Sequence, residues 1–218
     1  MNIFLKMIPL LFITIPICYA QKQKLSDFIP AGYTLSEKYH GDLNKDGEID
    51  CVIIIKKTDK KNVVVGQYGN KKVDKNRRGI IILFKKGDTY QLSDYNYDCF
   101  SSEHEDGGVY HPPELLIKIR GDLLVFEYLH GRYGRWEYRF KYQKSNFELI
   151  GYDRSDGGVV IDREVYIDFV KREKLNIENT NIDAQGGDEI FKKTRSKVNS
   201  KKLMKLSEIK DFDDLYFK

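Results

Sequence analysis

The chain has 218 residues, with 37 Lys and Arg against 33 Asp and Glu, a formal net charge of +4 at pH 7 and 41% hydrophobic residues. A balance this even lacks the concentrated basic stripe that nucleic acid binding needs. The length suits one domain with a real core.

The first twenty residues read as a leader. Met1 to Lys6 is a short basic start, Met7 to Ile17 is apolar but broken by two prolines, and Cys18-Tyr19-Ala20 ends in a small residue before Gln21. That pattern predicts a signal peptide over residues 1–20 and export to the periplasm or beyond. A lipoprotein acylated at Cys18 is disfavoured, because bulky Ile17 stands where a small residue belongs. Lys6 is the one charge in this segment, so its removal leaves a net charge of +3. No later run is long and apolar enough to span a bilayer.

After a short helical turn near Leu25 to Ile29, residues 34–39 read as a strand leading into a polar loop. Cys51-Val-Ile-Ile-Ile55 and Gly79-Ile-Ile-Ile-Leu-Phe84 are continuous apolar runs of strand length, as expected of strands buried on both faces. Lys85-Lys-Gly-Asp88 turns into a returning strand from Thr89 to Tyr95, and 96–113 reads as a long irregular loop. Hairpins follow at 115–119, 123–130, 135–142 and 147–152. In the third, Trp136, Tyr138, Phe140 and Tyr142 alternate with Arg135, Glu137, Arg139 and Lys141, which puts aromatics on one face and charges on the other. Residues 153–158 read as a polar turn, and 159–170 as one or two strands. Residues 171–205 are rich in Lys and poor in large hydrophobes, and read as a loosely packed basic excursion with one strand near Glu189 to Lys193. Apolar anchors from Leu203 to Phe217 close the chain. Together these predict a mainly β fold, α+β at most, with an antiparallel meander or sandwich-like sheet. It is a single domain over 21–218, and the lack of internal repeats argues against a full propeller.

The most specific pattern is Asp42-Leu-Asn44-Lys-Asp46-Gly47-Glu48-Ile-Asp50. It places side-chain oxygens at loop positions 1, 3, 5 and 9, a glycine at the sharp turn and the Glu48 carbonyl at position 7. Such hard oxygen donors on a short loop suit Ca2+. The loop is not an EF-hand, since position 12 is Ile53 and no helix flanks it. The competing reading is an Asx-rich turn with no ion; four oxygen positions out of four, plus the glycine, favour the metal.

This loop resembles the calcium loops of FG-GAP and VCBS-type β proteins, in which the loop leads into a strand. Phe28-Ile-Pro30, Gly32-Tyr33 and Gly41 to Gly47 look like the front of a family of exported bacterial proteins. Tyr97 to Phe100, Asp106 to Val109, His130 to Gly134, Phe147 to Tyr152 and Leu206 to Phe212 look similar to later parts of the same family. The resemblance implies export and a β-rich fold, and carries no catalytic residue.

Cys51 and Cys99 either bridge as a disulfide, which export would permit, or stand as two unrelated residues; spacing does not decide. Glu103, His104, Glu105, Asp106 and His111 are a place to look for acid–base or transition-metal chemistry. Their spacing is not HExxH, and a solvated loop is the simpler reading. Tyr133 and Trp136, with nearby arginines, could form a binding face, although a half-buried strand explains the same alternation. Arg120-Gly-Asp122 suits a hairpin turn better than an adhesion motif. The expected function is therefore an exported, Ca2+-stabilised binding or scaffold protein, for example an inhibitor or immunity factor. Its partner would be a protein or glycan rather than nucleic acid. The rival reading is a secreted hydrolase using carboxylates or the 103–111 loop.

Overall fold

The computed structural model describes residues 24–66, 72–103, 113–199, 202–215 and 217. The expected leader, its cleavage point and both His104 and His111 lie outside the described residues.

Four antiparallel strands form the first sheet, in the order β1 (Tyr33–Gly41), β2 (Asp50–Lys57), β5 (Arg78–Lys86), β6 (Thr89–Phe100). A short hairpin of β3 (Val63–Val65) and β4 (Lys72–Asp74) projects between β2 and β5. The second sheet is an unbroken meander of β7 (Glu114–Arg120), β8 (Leu123–Leu129), β9 (Gly134–Gln143), β10 (Asn146–Gly157), β11 (Ile161–Asp168), β12 (Glu173–Asn179) and β13 (Phe191–Lys197). Helical structure among the described residues is limited to short 3-10 turns. The fold is thus mainly β and antiparallel, with open sheets rather than a closed barrel or propeller. No helix among the described residues is long and apolar enough to cross a membrane.

The main core lies between the sheets. Val52, Ile54, Ile80, Ile82 and Phe84 of the first sheet meet Leu124, Phe126, Tyr138, Phe140 and Leu149 of the second. The alternate residues of β2 and β5 (Cys51, Ile53, Ile55, Ile81 and Leu83) are equally buried on the other face, under Leu25, Phe28 and Ile29. This double cover explains the two continuous apolar runs. Phe212 of the C-terminal segment stacks on Phe100 at 5.2 Å and meets Tyr138 edge-on at 5.0 Å. The Tyr138 hydroxyl donates to the carbonyls of Phe212 and Leu215, at 3.1 and 2.9 Å. Asn96 holds the same segment by donating to the carbonyls of Leu206 and Ile209, at 2.9 and 2.7 Å.

Of the two alternatives for the cysteines, the disulfide does not form: both are free and buried. Cys51 belongs to the outer cluster and Cys99 to the core between the sheets, so their side chains leave opposite faces of one sheet. They also sit at opposite ends of it. Cys51 lies opposite Leu83, whereas Phe100, beside Cys99, pairs with Arg78, which pairs with Lys56. Faces and ends together forbid a bond that needs the two Cα atoms within about 7 Å.

Three stretches are more regular than their composition suggests. β6 runs on through Cys99 to Phe100, β10 continues to Gly157, and the basic stretch 171–205 holds two strands, β12 and β13. The cause is geometric. The core between the sheets reaches from β7 to Val165 and Ile167 of β11, and the last two strands lie outside it. A groove lined by Tyr152, Arg154, Arg163, Val165, Lys174 and Phe217 marks where the cover ends. At β13 both faces are exposed, so polar residues serve there and pairing with β12 sets the strand.

Candidate metal centre

The loop between β1 and β2 folds around its own side chains. Asp42 Oδ1 and Asn44 Oδ1 both accept the N–H of Asp46, at 3.2 and 3.0 Å. Asp42 Oδ2 accepts the N–H of Gly47 at 3.0 Å, and Asp46 Oδ1 accepts that of Glu48 at 3.0 Å. The Asn44 amide donates to Asp46 Oδ2 at 2.9 Å. Oxygens from three alternate residues are thereby drawn to one turn. The turn is possible because Lys45 and Gly47 take left-handed backbone, with φ of 62° and 85°.

Asp50 plays a different part. It is fully buried, and its two oxygens accept the N–H groups of Leu43 at 2.8 Å and Lys85 at 3.0 Å. Burial pushes its carboxyl up, the two N–H donors oppose that rise, and the charges of Asp46 and Asp42 add to it. Asp46 is held below its ordinary value, first by the Glu48 N–H and then by the Asn44 amide, with a smaller push from Lys86, whose ammonium is 3.2 Å away. Both Glu48 carboxylate oxygens accept the Gly87 N–H at 3.1 Å, so its side chain belongs to the β5–β6 turn and its share in a metal site would be the backbone carbonyl. Lys45 reaches Asp122 of the β7–β8 turn at 3.0 Å, and Lys141 reaches the same carboxylate oxygen at 3.0 Å. The loop thus touches both sheets, and the Asp of the Arg-Gly-Asp turn is held by two lysines.

Among the described residues, no three His, Cys, Asp or Glu side chains gather closely enough to hold a metal. The donors available here are of another kind: two carboxylates, an amide oxygen and a backbone carbonyl. That all-oxygen mixture is the chemistry Ca2+ accepts; both Asp42 oxygens and Asp46 Oδ1 keep a second lone pair beyond one N–H bond, whereas Asp46 Oδ2 already accepts from the Asn44 amide and from Lys86.

The remaining candidates do not join this site. Glu103 faces Arg78 at 3.5 Å and Lys56 at 3.8 Å, at the other end of the first sheet. Trp136 points into the core side and stacks on Tyr128 at 5.3 Å, with the Arg154 guanidinium 5.4 Å from its ring. Tyr133 is exposed beside His130, with ring centroids 5.2 Å apart. The role of Asp50 as a clamp on β5 was not visible in the sequence, where its position in the motif suggested only a ligand.

The chain matches no protein-family model, no curated protein and no solved structure.

Proposed function

We propose that the chain is an exported binding or scaffold protein that takes up one structural Ca2+ in the loop from Asp42 to Asp50. The observation that carries this reading is the convergence of Asp42 and Asn44 on the N–H of Asp46, which gathers their oxygens before any ion arrives. Asp42, Asn44, Asp46 and the Glu48 carbonyl would hold the ion, with Asp50 closing the loop from behind. The ion would supply charge neutralisation and rigidity, not chemistry.

Binding is preferred to hydrolysis because Glu103, the described carboxylate of the 103–111 loop, already faces two cations. Export rests on the composition of residues 1–20 and on the family resemblance of the mature segments.

The test is a calorimetric titration of the full chain with Ca2+ and, separately, Mg2+. One Ca2+ site is expected, weakened at least tenfold by Asp42→Asn or Asp46→Asn and little affected by Glu48→Gln. No heat and no saturation at millimolar Ca2+ would reject the reading.

A further inference from the structure

Among the described residues, three of the four long sheet edges have a neighbouring element along part of their length. β1 packs against β7 where the sheets close on each other, with Gly41 so near Ile119 that a Cβ would lie 2.5 Å from its side chain. β6 is covered by the C-terminal segment, through Asn96 and through the Phe212 N–H, which donates to the Cys99 carbonyl. Among the described residues β13 alone ends its sheet with no element beside it, and every one of its seven residues is exposed.

Open edges invite another strand, and proteins guard them with prolines, bulges, shortness or charge. β13 pairs with β12 over seven consecutive residues without a register shift, and Phe-Lys-Lys-Thr-Arg-Ser-Lys contains no proline or glycine. Its one guard is charge. Lys193, Arg195 and Lys197 stand on the face of Ile177, Leu175 and Glu173, one cation at every second residue. Lys197 meets Glu173 at 3.3 Å; Lys192, Lys193 and Arg195 have no ion-pair partner among the described residues. The acids of this hairpin's connection (Asp183, Asp188 and Glu189) lie beyond the Phe191 end, and β13 itself has none.

A charge guard differs from a steric one, because it rejects by sign. It repels a second copy of β13 and admits a strand of opposite charge, since opposite charges directly across a ladder attract. We propose that β13 is a docking edge for an extended acidic polypeptide segment, which adds as an eighth strand. A carboxylate at every second residue of the segment would face Lys193, Arg195 and Lys197. Small polar residues between them would lie beside Thr194 and Ser196. Backbone hydrogen bonds would hold the segment and the charges would select it, as in other strand additions. The inference rests on the binding-protein reading but not on the calcium loop.

The test titrates the full chain with a blocked octapeptide alternating Glu and Thr. The comparators are its Lys–Thr counterpart and a Glu–Thr version N-methylated at alternate amides. Each titration is run in calcium and in chelator, so that a failure of the metal site is read separately; binding in either buffer supports the edge. The Glu–Thr peptide is expected to bind at least tenfold more tightly than both comparators and to slow amide exchange across Phe191 to Lys197. The double change K193E/R195E should reverse the preference between the Glu–Thr and Lys–Thr peptides. K193Q/R195Q, which removes both charges without reversing them, should abolish it if the reversed variant fails to fold. Equal binding of the N-methylated peptide would reduce the effect to bulk attraction and overturn the proposal. So would no binding at millimolar peptide, or a concentration-dependent dimer that protects the same amides without peptide.

Discussion

Asp50 and Lys85 are joined by a 3.0 Å hydrogen bond from the Lys85 N–H to the buried Asp50 carboxylate, across thirty-five residues of sequence. The other oxygen of the same carboxylate accepts the Leu43 N–H at 2.8 Å. One side chain therefore ties the polar loop, the start of β2 and the end of β5 into a unit. Glu48 repeats the connection one turn further out, at Gly87.

Removing that tie leaves two backbone donors buried or half-buried without a partner. Asp50→Ala is expected to destabilise the fold by about 2–4 kcal/mol, since each orphaned donor costs roughly 1–3 kcal/mol and the relief of a buried charge returns part of it. Asp50→Asn should be milder, because it keeps one acceptor but turns an NH2 toward the other donor. Urea denaturation at pH 7 orders the three proteins, and an Asp50→Ala midpoint equal to that of the parent would contradict the assignment.

Asp94 gives a pH signature of defined sign. Burial raises its carboxyl above the ordinary value, although the N–H groups of Tyr95 and Phe147 oppose the rise. A raised acid favours the folded state while protonated. Its contribution is present below the unfolded value and is lost as pH climbs through the folded one. Asp94→Asn, which never ionises, should thus be more stable relative to the parent at pH 7 than at pH 3. A variant-minus-parent difference that does not grow between those pH values would show that the buried charge carries no penalty.

The cysteines allow a direct chemical count. Cys51 and Cys99 are both inaccessible, and burial pushes each thiol up, so neither should react in the native protein. A chain lacking residues 1–20, purified without reductant, should release two titratable thiols in denaturant, and reductant should leave its melting temperature unchanged. Zero thiols would mean that the two side chains meet after all.

Legibility in the sequence followed burial. β2, β5 and the hairpins from β7 to β10 bury at least one face, and their apolar runs or alternation marked them. β12 buries Ile177 alone and β13 buries nothing: Phe191 to Lys197 is exposed throughout, and its strand form comes from pairing with Glu173 to Asn179. Hydrophobic periodicity carries no trace of such pairing, so the segment looked like an excursion. The acidic loop was legible as a motif because a turn built on Asx side chains needs those residues at those spacings. The fate of its last member was not legible. Whether Asp50 points at an ion or at the backbone of β5 depends on a residue thirty-five positions away. The cysteines failed for the same reason, since spacing along the chain does not tell which face of a sheet a residue leaves.

Thermal melting in excess Ca2+ and in chelator, for the parent and for Asp46→Asn, shows whether a cation stabilises the fold through this loop. An ion bound only by the folded state stabilises it by about 2.7 kcal/mol at a hundredfold excess over its dissociation constant. For a domain of this size that corresponds to a rise of roughly 5–10 °C. The parent should show that rise, with Mg2+ much less effective, and Asp46→Asn should show little or none. Identical midpoints for the parent in Ca2+ and chelator would contradict that stabilisation, and would leave the loop as a hydrogen-bonded turn.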